Sequence, residues 1–353
     1  MGLLFLGNAR IMHKNRHVNL RGRIMSKTGW IILIVCLALV LCITLGLLLA
    51  GRIFSFLLSK GSETRVDEST TKSYKDLKND FSADGVYSVE MKDLKKLHVD
   101  WISGSVTVEL IDGDAIRFQE TADKTIKEKD ALRFGTSGGT LRIQACKKGH
   151  IGNLPRKDLT VYLPRSLADG LQECEIDTVS AAVTAGELRL EELEIDTVSG
   201  KIILSDITAE EAQVDTVSGQ GALLDCSFDS LRFDSVSGTI KVSGSAKKVK
   251  ASSVSGEVDL TLAYPKEIKI STMSGPITLD LAAAPKDLDI DTTSGKTRLT
   301  LPQDASCTIT LDAMSGKLYL NDEVVSSKEI TLGNGAASYD IDSMSGSVYV
   351  ITK

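Results

Sequence analysis

Apolar residues in the second half of the chain recur in fixed pairs set by a series of small-residue corners. Counting back from each corner glycine, position −7 holds Leu193, Ala212, Leu231, Val249, Ile268, Leu288, Ile309 and Tyr339. Position −5 holds Ile195, Val214, Phe233, Ala251, Ile270, Ile290, Leu311 and Ile341. Two residues is the period of a strand with one face turned inward. After the glycine, +4 is again apolar, from Leu204 to Val350, and +2 is mostly Ile, Val or Leu, with Gly221 and Thr297 departing. Each unit therefore reads as strand, corner, strand and a short polar return.

The corner has a signature. Asp196-Thr197-Val198-Ser199-Gly200 returns as Asp215-Thr216-Val217-Ser218-Gly219 and Asp234-Ser235-Val236-Ser237-Gly238. Looser copies end in Ser255-Gly256, Ser274-Gly275, Ser294-Gly295, Ser315-Gly316 and Ser345-Gly346, and an earlier copy ends in Ser180-Ala181. From Ala181 to Gly316 the steps are 19, 19, 19, 18, 19, 20 and 21 residues, and the last, to Gly346, is 30. A period near 20 marks stacked coils, none of which buries enough apolar surface to fold alone. The fold class expected is all-β, a parallel β-solenoid of ~19-residue coils, preceded by one transmembrane α-helix. Glycine at the corner is expected to supply a positive φ, and Ala181 is then mildly strained or sits in a different turn.

Upstream the pattern changes three times. Residues 1–28 carry six basic and no acidic residues, a basic cytoplasmic N-terminus. Within 29–51, the stretch Trp30–Ala50 has no charge and is long enough to span a bilayer. Basic residues before it place the N-terminus inside and the rest of the chain outside the cell. The run is too long for the apolar core of a cleaved signal, so an uncleaved anchor is expected; Met25, directly before it, is an alternative start. Residues 52–85 are a polar linker or stalk, and 86–353 the ectodomain, with irregular first coils over 86–170 and regular repeats over 171–353. Short strands are expected at Val86–Met91, Leu97–Trp101, Val106–Ile111, Ala115–Thr121, Leu141–Ala145 and Leu159–Leu163. Asp100-Trp101-Ile102-Ser103-Gly104 is a degenerate corner.

The net charge is −6, but residues 1–58 hold seven Lys and Arg without an acid, so the remainder carries −13. That argues against a nucleic-acid partner and against docking on anionic headgroups. Cys146, Cys174, Cys226 and Cys307 fall at different offsets from the corners and form no column, so they read as small apolar filler rather than a disulfide ladder.

One column is chemically suggestive. Asp177, Asp196, Asp215 and Asp234 would stack about 4.8 Å apart, where like charges repel. Either each carboxylate accepts hydrogen bonds from amides of its own corner, or the column holds Ca²⁺. Ser252 and Ser271 continue the column and favour the first, because a hydroxyl is a poor calcium ligand. No other metal or cofactor is expected. The repeated Ser before each glycine is architectural, since a catalytic serine is not duplicated along a ladder. Gly135-Thr136-Ser137-Gly138-Gly139 matches the nucleophile-elbow pattern, yet β-type sequence follows it where a helix would be required. His98 and His150 alone cannot build a histidine metal site, and tryptophan platforms for sugars are scarce. The domain is not expected to be an enzyme.

Two stretches carry a family resemblance. Leu159-Thr160-Val161-Tyr162-Leu163-Pro164 leading into Glu175-Ile176-Asp177-Thr178-Val179-Ser180 resembles the opening of the bacterial putative-adhesin domains built of β-strand repeats. Ile330-Thr331-Leu332-Gly333-Asn334-Gly335 followed by Tyr339–Val350 resembles their C-terminal end. The likeness covers 86–353. It implies a binding, adhesion or scaffolding module without established activity. Together with the anchor it resembles membrane-bound members found beside envelope-stress systems of Gram-positive bacteria, whose partner would be an envelope protein or the cell wall. An envelope glycan-active enzyme and a passive stalk are the alternatives.

Overall fold

The computed structural model describes residues 81–147 and 154–353. The expected anchor, the basic N-terminus, most of the linker and His150 lie outside the described residues. Within them no helix is long and apolar enough to cross a membrane.

The described chain is all-β and built on two parallel ladders. One passes through the strand before each corner: Glu173–Gly186, Arg189–Thr197, Thr208–Thr216, Gly221–Ser235 and Ile240–Ser253 succeed one another with Ile176, Ile195, Val214, Phe233 and Ala251 in register. The other joins the residues after it, with Ala185, Leu204, Leu223, Val242, Leu260 and Leu279 aligned. Both inward columns are buried and meet in one continuous core. Where Gly221 breaks the +2 column, the Phe233 ring takes the room: a Cβ on Gly221 would lie 2.1 Å from its tip. The large and small residues compensate within one coil.

The return between coils is less polar than expected. Leu190, Ala209, Phe228 and Ala246 stack there as a third, short buried side. Its corner, not the glycine corner, holds the left-handed residue. Glu187, Asp206 and Asp225, 19 apart, have φ of 58°, 54° and 55°, a region that Asp tolerates better than most side chains. In the next coil Gly244 at φ 127° stands in their place and one residue is lost, which explains the 18-residue step.

The glycine corner works differently from the expectation. Of the eight repeat glycines, only Gly275 and Gly295 have positive φ, at 150° and 158°. What excludes a side chain is the coil beneath. A Cβ on Gly219 would lie 2.1 Å from the Gly200 carbonyl oxygen, and one on Gly238 only 1.7 Å from that of Gly219. Ala181 is accommodated because the strand Glu173–Gly186 runs straight through its position, paired with Gly104 of the equally continuous strand Lys96–Ile111. It sits in extended backbone instead of a corner.

Both ends depart from chain order. Lys96–Ile111 forms a coil that is followed in sequence not by the next layer but by an outer one, Thr140–Gln144 with Lys157–Pro164; Glu173–Gly186 then returns to its opposite edge. At the other end, Ala337–Ser343 inserts between Asp287–Ser294 and Cys307–Ala313, and Val348–Thr352 between Thr297–Leu301 and Leu318–Leu320. The 30-residue interval is thus a strand that leaves room for the last coil and a hairpin that brings it back. Antiparallel strands close the ends. Ile116–Ala122 pairs with Lys157–Pro164, and Arg133–Ser137 with Thr140–Gln144; Glu329–Leu332 pairs with Cys307–Ala313. These cover ladder edges that would otherwise invite further strands.

Two outcomes follow from the packing. Gly238→Ala should lower stability by about 3 kcal/mol or more, through overpacking against backbone, whereas Ala181→Gly should cost roughly 0.5–1 kcal/mol; chemical denaturation measures both. Truncation before Ala337 removes an interior layer, so hydrogen exchange should accelerate across 287–320 and not only at the new terminus.

The charged outer face as candidate functional surface

Five of the corners are held by the hydroxyl three residues before the glycine. The amides of Gly200, Gly219, Gly238 and Gly256 each donate to Thr197, Thr216, Ser235 and Ser253 at 2.8 Å, and that of Gly346 to Ser343 at 2.6 Å. These hydroxyls are buried. The serines before the glycines face outward: Ser199, Ser218, Ser237 and Ser255 are exposed, with hydroxyls only 3.3–3.5 Å from carbonyls of the coil below. At Ser274-Gly275 and Ser294-Gly295 the strands Glu267–Ser274 and Asp287–Ser294 run on to the serine. Ser315-Gly316 rests on the last layer, where a Gly316 Cβ would lie 2.1 Å from the Gly346 oxygen.

Asp177, Asp196, Asp215 and Asp234 do form a register-aligned column. Asp215 and Asp234 do not cap their corners. Asp215 Oδ2 accepts from Gln213 Nε2 at 2.8 Å, and Asp234 Oδ2 from Arg232 Nε and Nη2 at 2.7 and 2.6 Å. Both partners lie two residues earlier on the same strand face. The Oδ1 atoms of Asp215 and Asp234 are buried and accept no hydrogen bond. Burial, and then the neighbouring Asp234 charge, push the Asp215 carboxyl up to about 6. Asp291 is likewise raised to about 6, by burial and then by Asp289 and Asp342. The column offers one carboxylate per coil and nowhere brings three ligand atoms within 4.8 Å, which does not fit calcium's six to eight oxygens.

Among the described residues, one group does bring three potential ligands that close: His98, Glu173 and Glu175. It is already filled by protein cations. His98 Nε2 lies 2.8 Å from Glu173 Oε1, Arg142 Nη2 lies 2.8 Å from His98 Nδ1, and Lys96 is paired with Glu173. The Lys96 and His98 contacts hold the Glu173 carboxyl below its ordinary value despite burial, which acts to raise it. Sequence spacing could not show this cluster, because its members are joined only by stacking of Lys96–Ile111 on Glu173–Gly186.

A second cluster lies inside the N-terminal end. Lys157 and Glu120 form a buried ion pair, with Lys157 Nζ also donating to the carbonyl oxygens of Asp130, at 2.7 Å, and Ala145, and sitting 5.1 Å from the Trp101 ring centroid. Trp101 Nε1 donates to the Lys157 carbonyl at 2.8 Å. The pair is sealed and saturated, as a buried charge must be. Ser137 ends one strand of a hairpin whose turn is Gly138-Gly139, at φ 58° and 82°, so no helix follows it and no hydrolase elbow forms. Cys146, Cys174, Cys226 and Cys307 are free and buried; burial raises the Cys174 thiol to about 12 and the Cys226 thiol to about 11. They act as apolar filler.

A parallel stack of coils with residues of like position aligned in columns defines this chain as a β-repeat domain. Residues 94–350 match the family described as Toastrack DUF4097, and the chain belongs to that family. No curated protein matches it. Solved structures similar to it include a "putative adhesin" from Bacteroides fragilis, 13% identical, covering 76% of this chain and 96% of that one at a TM-score of 0.41. Another is a "putative cell adhesion protein" from Clostridium sporogenes, 11% identical, covering 76% and 99% at 0.22. A third is a "putative adhesin" from Parabacteroides distasonis, 12% identical, covering 77% and 98% at 0.36.

The Asp column sets a pH dependence. Asp215 holds its proton more tightly folded than unfolded, so its contribution to stability is present at low pH and is lost as pH rises through about 6. Asp215→Asn, which keeps the shape without the charge, should therefore be more stable than the parent at pH 7.5, by up to about 3 kcal/mol. The gap should close by about pH 4, as thermal unfolding across that range would record.

Proposed function

We propose that the chain is a single-pass membrane protein whose stacked-coil domain works outside the cell as a non-catalytic binding or scaffolding module at the bacterial envelope, in association with envelope-stress signalling. The observation that carries the reading is the outer face of the parallel stack, where charged side chains recur in register from coil to coil. Such a surface suits recognition of an extended or repeating partner. The charge-free stretch Trp30–Ala50 and the basic residues before it support the anchor and its orientation. The acidic remainder supports a protein or wall partner over nucleic acid.

The full chain, purified in detergent, should be retained on isolated cell-wall sacculi or capture a defined envelope protein from solubilised membranes. Release of glycan fragments would favour an enzyme instead, and binding to neither would leave a passive stalk. Protease added to intact protoplasts should remove the domain; protection would place it inside the cell and overturn the topology.

A further inference from the structure

The sheet before the glycine corners turns its −8, −6 and −4 columns outward, and the central −6 column has an ordered charge sequence. In stacking order it reads Arg142, His98, Glu175, Glu194 and Gln213, and then Arg232, Lys250, Lys269, Asp289 and Asp340. Each side chain is at least partly exposed. About the boundary between Gln213 and Arg232 the column is antisymmetric in charge at three pairs: Lys250 mirrors Glu194, Lys269 mirrors Glu175, and Asp340 mirrors Arg142, while Asp289 falls opposite the His98 imidazole. In the −8 column Lys248 likewise mirrors Glu192, and Asp287 mirrors Lys96.

We propose that this face is the contact surface for a second copy of the chain, packed face to face about a two-fold axis that lies along the strands between the Gln213 and Arg232 coils. Such an axis keeps each column opposite itself and reverses the stacking order, so Arg142, Lys250, Lys269, Lys248 and Lys96 each meet a carboxylate of the partner copy. An isologous dimer requires that self-complementarity. Nine coil steps of about 4.8 Å by five strand residues of about 3.3 Å give on the order of 700 Å² per copy, close to the roughly 800 Å² of a stable interface. The arrangement is not perfect. Glu267 mirrors Glu173, each paired within its own chain, with Lys269 and with Lys96. In the −4 column Asp215 mirrors Asp234 and Asp100 mirrors Asp291, but Asp215 and Asp234 are buried against Gln213 and Arg232 of their own strands. The central coils pair Arg232 with Gln213. Lys248, Lys250 and Glu192 are the best-placed contacts, since Lys248 and Lys250 are exposed and face Glu192 and Glu194 across the axis.

The test is a charge swap on the full chain in detergent, read by light scattering and by co-purification of two differently tagged copies. The parent should be dimeric at about 50 mM salt, and its dissociation constant should rise at least tenfold by about 500 mM. Lys248→Glu with Lys250→Glu should be monomeric, and so should Glu192→Lys with Glu194→Lys. An equimolar mixture of the two variants should form heterodimers, because each reversed coil then faces its complement. Circular dichroism of each variant checks the fold, and the mixture checks it again, since an unfolded copy cannot rescue its partner. A monomeric parent at low salt, or folded variants that stay monomeric when mixed, would overturn the proposal and leave the face to a different partner.

Discussion

Everything in this domain rests on a backbone-to-backbone contact at the glycine corners. The carbonyl of one corner lies where the next corner's Cβ would be, at 1.7–2.1 Å for Gly200, Gly219 and Gly238. Only hydrogen fits in that space, so successive coils settle at one height and in one register. The threonine or serine three residues earlier completes the arrangement by taking up the glycine amide, which the turn would otherwise leave without a partner. Once the register is locked, every other column follows. Apolar positions stack on apolar positions, and charges stack on charges.

That alignment has a cost as well as a use. Burial, and then the neighbouring carboxylates, raise the proton affinity of Asp215 and Asp291. The chain limits the penalty with same-strand donors such as Gln213 and Arg232, and by changing to Ser252 and Ser271 in the following coils. Alternating blocks of sign along the face serve the same end, keeping long runs of like charge from accumulating. A surface arranged in this way presents position-specific electrostatics on a scaffold too rigid to rearrange.

A parallel stack also has two exposed edges, and at both the outermost layer is out of chain order. At the N-terminal end an interior coil comes first, the outer layer is added to its free edge, and the chain returns to the opposite edge; at the C-terminal end the outer layer comes first and the last segment fills the gap behind it. The terminal coils are therefore held from both sides, and the edges carry short antiparallel strands in place of an open parallel ladder. At the N-terminal end the same region houses the Lys157–Glu120 pair against Trp101, a buried ion pair in a core that is mostly apolar.

Periodicity alone determined the all-β class, the two inward columns, the corner positions from Ser199-Gly200 to Ser345-Gly346 and the alignment of Asp177 with Asp234, because each depends only on spacing along the chain. The reason for the glycine was not legible. Whether φ or a neighbouring carbonyl forbids a Cβ depends on the distance to another coil, and the positive φ fell at Glu187, Asp206 and Asp225, where nothing but their 19-residue spacing could have signalled it. The partner of each Asp was equally hidden, since the −3 hydroxyl and the −4 carboxylate are both plausible caps until their directions are known. The order of the end coils, the His98–Glu173–Glu175 cluster and the mirrored charge column came from tertiary structure alone. They are relations between strands far apart in sequence, set by which edge of the stack each strand joins, and spacing along one chain carries no record of that choice.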